Sequence, residues 1–178
     1  MARLIALLRA VNVGGRKLPM AELRSLAAEL GWSDVETYIQ SGNMVFTAPG
    51  RTEALEDRLE KEIRDRFGLD VPVIVRTAAQ WAGYAKANPF PEAAEAEPNA
   101  LQLLVSKRPP AEGAADRLME RAEAGEIVNS AGGALWFHYP KGIARSKLTP
   151  TLIDKACGSP TTSRNWRTVL KLREMAER

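Results

Sequence analysis

The chain has 178 residues, 45% of them hydrophobic and 26% charged, with a net charge of +3. That is enough chain to bury a sizeable core, as one domain or two small ones. No apolar run nears the ~20 residues of a membrane span, and the single cysteine, Cys157, excludes an internal disulfide and fits a reducing, cytoplasmic setting.

Leu4 to Val11 reads as a first strand of near-continuous apolar character. Arg9 interrupts what would otherwise resemble a short signal segment, and no small-residue cleavage site follows. Asn12-Val13-Gly14-Gly15-Arg16-Lys17 is a loop, and Pro19 opens a helix in which Leu23, Leu26, Ala27 and Leu30 recur at helical spacing up to Gly31. Val35 to Ala48 reads as a hairpin around Ser41-Gly42, where glycine supplies the positive φ of a tight turn. A two-residue loop pairs Gln40 with Asn43 and Tyr38 with Val45, placing Val35, Ile39, Met44, Phe46 and Ala48 on one apolar face. Thr52 is the expected N-cap of a second helix carrying Leu55, Leu59, Ile63 and Phe67 inward and ending at Gly68. Val71 to Val75 is a strand, completing the order strand, helix, strand, strand, helix, strand of the ferredoxin-like unit.

Thr77 to Lys86 reads as a short helix leaving that unit. Residues 88–98, rich in proline, alanine and acid, read as a linker. A second half follows: a strand over Leu101–Val105, a helix over Ala111–Ala124, and strands over Glu126–Ser130 and Leu135–Tyr139. A helix capped by Thr149, with Pro150 first and Gly158 beyond its end, comes next, then a last helix starting after Ser163 with Trp166, Val169, Leu170 and Met175 inward. The order repeats that of the first half without an evident closing strand. The expectation is therefore an α+β protein of two ferredoxin-like halves, residues 1–87 and 99–178, packed into one compact protein.

The stretches Leu7 to Gly15, Met20 to Arg24, Tyr38 to Asn43, Arg145 to Leu148 and Thr162 to Leu172 together resemble an uncharacterised bacterial family, domain of unknown function 1697. The likeness runs in matching order along nearly the whole chain. It departs from the family at Ala10, where a glycine is usual, and at Ser163-Arg164, where a threonine often sits near the arginine. The resemblance implies the two-half α+β fold and brings no activity with it.

Charge is unevenly spread. Residues 141–178 hold nine Lys/Arg against three Asp/Glu, whereas residues 1–140 hold sixteen against nineteen. An anionic partner is expected at the basic C-terminal end. There Ser159 to Asn165 offers hydroxyls and Arg164 at an expected helix start, with Arg164, Arg167 and Lys171 on one helix face. Arg145, Ser146 and Lys147 join this set if the fold brings them near; the plainer reading is a capped helix with a solvated basic side. The Gly14-Gly15-Arg16-Lys17 loop has the arrangement that cradles phosphate but lacks the spacing of known phosphate loops, and it reads as a flexible turn with solvated basic residues.

Arg9, Asn12, Tyr38, Gln40, Ser41 and Asn43 lie on or beside the central strands. They either line a binding face, as in ferredoxin-like RNA binders, or hydrogen-bond across the junction of the halves. Cys157 and His138 are single residues of their types; the thiol sits at a helix end and reads as a small buried residue, not a nucleophile. Trp136 and Trp166 read as core. No metal or cofactor is expected.

Three functions follow. The first is non-catalytic binding of an anionic ligand, nucleic acid or nucleotide, through Arg164, Asn165, Arg167 and their neighbours. The second is an enzyme acting on a small phosphorylated or carboxylated metabolite in the cleft between the halves, with Arg9, Asn43, Lys147 and Arg164 orienting substrate. The third is a structural or partner-binding module without ligand.

Overall fold

The computed structural model describes Met1 and residues 3–178. Two compact units result, one formed by Met1–Trp81 with Leu172–Arg178 and the other by Ala82–Lys171.

The first unit runs β1 (Leu4–Leu8), α1 (Met20–Glu29), β2 (Ser33–Tyr38), β3 (Asn43–Thr47), α2 (Thr52–Phe67), β4 (Val73–Thr77). Its sheet is antiparallel in the order β2-β3-β1-β4, which is the ferredoxin-like arrangement. Period-2 alternation sends Leu4, Ala6 and Leu8 of β1, Met44 and Phe46 of β3, and Val73 and Val75 of β4 to one face. Leu23, Leu26 and Ala27 of α1 pack there with Leu55, Leu59 and Ile63 of α2, and Trp32 stacks on Phe46 at 4.4 Å between centroids. Each such side chain contributes about 1.5–3 kcal/mol on burial, against about 0–1 kcal/mol for an exposed ion pair. The apolar face therefore sets this fold, and the surface pairs do not. Ile5, Leu7, Val45 and Ile74, pointing the other way, are buried too, which explains the unbroken apolar run of β1.

The second unit runs α3 (Ala78–Lys86, whose first residues belong to the first unit), α4 (Pro91–Ala96), β5 (Leu101–Ser106), α5 (Ala114–Met119), β6 (Ile127–Ala131), β7 (Ala134–His138), α6 (Pro150–Cys157), β8 (Thr161–Asn165) and the start of α7 (Trp166–Ala176). Its sheet has the order β6-β7-β5-β8, again antiparallel throughout, repeating the first sheet's topology. Leu104, Leu135 and Phe137 pack with Leu118 of α5 and Ile153, Ala156 and Cys157 of α6. As the sequence implies, Thr149 caps α6 by accepting from the Leu152 N–H, and Gly158 ends it in the left-handed region at φ 81°.

Several expectations are corrected. The β2–β3 loop has four residues, Ile39 to Gly42, and Tyr38 faces Asn43 across the ladder. Ile39 leaves the apolar face for the loop, where it is exposed at φ 49°. Arg51, not Thr52, is the N-cap of α2, and it makes no side-chain capping bond. The stretch read as a structureless linker carries α4, with proline at its first turn. The second half does have its closing strand: Thr161–Asn165, read as the approach to the last helix, is β8, so that helix starts only at Trp166. Leu170 on that helix faces outward. Among the described residues, no helix is long and apolar enough to cross a membrane.

Candidate functional site

Beyond Leu8 the first strand leaves the sheet, and two loops meet at its end. The Leu8 N–H donates to the Gly42 carbonyl at 2.8 Å and the Arg9 N–H to Pro72 at 3.0 Å. Residues 13–16 then form a miniature hairpin, in which the Arg16 N–H donates to the Val13 carbonyl at 3.1 Å and the Asn12 N–H to the Arg16 carbonyl at 2.6 Å. Gly14 (φ 57°) and Gly15 (φ 80°) both hold positive φ, the requirement of a type I′ turn. The segment expected to be a turn is thus a hydrogen-bonded hairpin.

Asn12 fastens this hairpin in place. Its Nδ2 donates to the Leu18 carbonyl at 2.9 Å and to the Gln40 carbonyl at 2.7 Å, while its Oδ1 accepts from the Leu18 N–H at 2.9 Å. The second loop is closed from inside by Asn43, fully buried, whose Nδ2 donates to the Tyr38 carbonyl (2.9 Å) and to Ser41 Oγ (3.0 Å). A Cβ at Gly42 would lie 2.7 Å from both Leu8 Cβ and Val11 Cγ2, so only glycine lets the loop lie against the strand end.

Between the loops runs a groove of about 400 Å³ lined by Asn12, Gly15, Arg16, Lys17, Pro19 and Gln40. Two consecutive cations face it. Lys17 is exposed, while Arg16 is half-buried, donates through its guanidinium to the Asp70 carbonyl, and encloses an Nε without a hydrogen-bond partner among the described residues. Among those residues Ala10, Asn12, Asp34 and Ile39 hold positive φ without being glycine, and three of these four stand in the two loops. Such backbone costs on the order of 1–3 kcal/mol per residue and persists where surroundings impose it, most often at functional sites. For the β-branched Ile39 it is a clear outlier.

The sequence-predicted residues divide between the units. Arg9, Asn12, Tyr38, Ser41 and Asn43 gather around these loops, but Asn12, Ser41 and Asn43 spend their side chains on the loops themselves. Gln40, expected with these polar residues, and Arg16, of the Gly-Gly loop expected to be a solvated turn, both line the groove. The signal available for them was Gly-Gly after a strand, which demands a turn, with polar residues in both loops.

In the second unit the expected anion site does not assemble. Arg164 lies in β8 opposite Leu103, not on the helix with Arg167 and Lys171. It is buried and donates to Thr162 Oγ1 at 2.8 Å and to the Ser163 carbonyl at 2.7 Å; burial pushes its pKa down to about 10, which leaves it charged at neutral pH. Asn165 is the N-cap of α7, its Oδ1 accepting from the Thr168 N–H at 2.9 Å. Arg167 is exposed in the first turn. Ser146 donates to Glu126, which directly precedes β6, and Lys147 pairs with Glu123. With the strand order β6-β7-β5-β8, these anchors lie at the edge opposite Arg164. Arg173 and Arg178 pair with Glu177 and Glu174, so the C-terminal positive charge is partly compensated locally.

Cys157 is buried at the end of α6. Desolvation first, then the Asp154 carboxylate, pushes its pKa up to about 11 despite nearby Arg117, the reverse of what a nucleophile needs. Trp136 is fully buried and meets Trp166 at 5.8 Å, in keeping with a core role. Among the described residues, no group of three or more His, Cys, Asp or Glu is placed to hold a metal ion.

A family model described as protein of unknown function (DUF1697) matches residues 1–136, which include both loops of the groove. A solved structure, that of the conserved bacterial protein SP0830 from Streptococcus pneumoniae, superposes with a TM-score of 0.79 at 22% identity, covering 100% of this chain and 99% of the other. That likeness concerns the fold. No curated protein matches the chain.

Proposed function

This chain belongs to the DUF1697 family, described as proteins of unknown function, and from the chemistry of its own site we propose that it is a non-catalytic binding protein for an anionic, phosphate-bearing ligand, a nucleic acid or a nucleotide. The groove between the loop of residues 12–19 and the loop of residues 39–42 holds the anion. The observation that carries this reading is the pair Arg16 and Lys17 facing one groove whose walls are held in strained backbone by Asn12 and Asn43. A half-buried guanidinium forms charge-assisted hydrogen bonds with phosphate oxygens, and an exposed ammonium adds charge without a fixed geometry. Asn12, Ser41 and Asn43 serve as the frame. On this reading the ligand lies at the groove beside the end of β1 instead of at the basic C-terminal end. The reading includes a cytoplasmic location, which a lone buried cysteine supports.

The test is fluorescence anisotropy of short single-stranded RNA and DNA, and of a fluorescent nucleotide, over a salt series. Binding of any of these that weakens as salt rises agrees with phosphate neutralisation. No binding of all three at low salt contradicts the proposal. A structural role without ligand draws on one observation, that the amides of Asn12 and Asn43 are engaged within their own loops. It predicts the no-binding outcome together with a large loss of stability on changing either residue.

A further inference from the structure

The second unit contains another cavity, of about 570 Å³, walled by α4 and its approach on one side and by β6 and β7 on the other. That volume lies within the range of small-molecule sites. Its lining has two kinds of group. Phe90, Ala96 and Ile127 supply apolar surface, and Ile127, on the edge strand β6, is 44% exposed. Glu92 and Glu97 supply carboxylates, and among the described residues no lysine or arginine lines the cavity.

Glu97 is held in place. It caps the end of α4, its N–H donating to the Ala93 carbonyl at 2.8 Å, and its own carbonyl accepts from the Ala100 N–H at 2.8 Å. Its Oε2 lies 2.8 Å from Nε2 of His138, whose ring is largely buried and stands 6.0 Å from the Phe90 ring. One carboxylate oxygen is therefore fixed by the imidazole, with the carboxylate side chain still half exposed to the cavity. An aromatic face beside an oriented carboxylate attracts a cation on two counts, through the ring quadrupole and through charge.

We infer that this cavity is a binding site for a small organic cation with an apolar body, an aralkyl or alkyl ammonium, whose charged head meets Glu97 and whose body covers Phe90 and Ile127. His138 acts as a positioning residue for the Glu97 carboxylate. The site shares no lining residue with the groove of the first unit and has the opposite charge preference, so either can fail without the other.

Benzylamine, protonated at neutral pH, is a suitable probe, with benzyl alcohol and benzoate as neutral and anionic counterparts of the same shape. Amide chemical shifts of the full chain are followed during titration. Saturable shifts at Ile127, His138 and the α4 residues are expected with benzylamine, with at least tenfold weaker binding of both counterparts. Glu97→Gln, which keeps a hydrogen-bonding oxygen but removes the charge, should weaken benzylamine about tenfold, equivalent to about 1.4 kcal/mol. Should Glu97→Gln unfold, Ile127→Lys at an exposed position sets a competing ammonium at the mouth and must weaken benzylamine in the same way. Absence of saturable shifts with benzylamine, equal binding of benzyl alcohol or benzoate, or an unchanged affinity in the folded Glu97→Gln or Ile127→Lys protein would overturn the assignment.

Discussion

Asn12 Nδ2 donates to the backbone carbonyl of Gln40 at 2.7 Å, and through that bond one amide joins the loop after the first strand to the loop of the following hairpin. The same side chain makes two more bonds to Leu18. Asn12→Gly isolates their contribution, because glycine adopts φ 56° without strain. At about 1 kcal/mol net per bond, the loss should be roughly 1–3 kcal/mol in urea unfolding. Asn12→Ala should cost more, since alanine pays an additional ~1–2 kcal/mol in the left-handed region. Equal stability of Asn12→Gly and wild type would remove Asn12 as the fastener.

Gly42 and Gly14 make a controlled comparison. Both hold positive φ, yet a Cβ at Gly42 meets Leu8 and Val11 at 2.7 Å, whereas one at Gly14 meets nothing within 4 Å. Gly14→Ala should cost only the backbone term, about 1–2 kcal/mol. Gly42→Ala adds an overpacking cost of about 1–3 kcal/mol, so its melting temperature should fall distinctly further. Similar melting temperatures for the two variants would show that the loop can move off the strand end.

Glu126 sets an acid dependence. Burial alone would raise its pKa, but hydrogen bonds from Ser146 and from backbone N–H groups, Ala124 among them, outweigh this and hold the carboxyl below the usual glutamate range. A depressed folded-state pKa stabilises above the unfolded-state value, and that stability disappears as pH falls through the folded-state value. Ser146→Ala should therefore be less stable than wild type near neutral pH, with the deficit shrinking on acidification below the ordinary glutamate range. A deficit independent of pH, measured by urea unfolding at several pH values, would contradict this origin.

Cys157 should be almost inert in the folded protein. With a pKa of about 11 and a buried side chain, only about one thiol in a thousand is ionised at pH 8. Modification by a chromogenic disulfide should be slow in buffer and prompt in denaturant. Prompt labelling of the native protein would mean that the end of α6 opens readily.

How far the fold could be read from sequence depended on apolar spacing. The helices carrying Leu23, Leu26 and Ala27, or Leu55, Leu59 and Ile63, declare themselves, and so does the Thr149 to Gly158 helix with both its caps. Strand β8 does not, because Thr-Thr-Ser-Arg-Asn has no apolar alternation and owes its state to pairing with β5. The hairpin register differs from the expected one by two residues for a related reason: such a slip keeps the side chains that stay in the strands on their faces, so Met44 and Phe46 point inward either way, while Ile39 passes into the loop. At the site, the sequence carries the polar character of Asn12, Ser41 and Asn43, but not the geometry that turns them toward their own loops. Arg164 follows its strand, since the expected helix start is β8.

The most direct test of the binding site sets Lys17→Glu against Arg167→Glu in the RNA, DNA and nucleotide anisotropy assay at low salt. Both residues are exposed, so neither change should unfold the protein. Reversing the charge at the groove should abolish most of the binding and flatten its salt dependence, while the change on the last helix should leave both nearly unaltered. Binding that survives Lys17→Glu and is lost with Arg167→Glu would contradict the account and return the ligand to the C-terminal end.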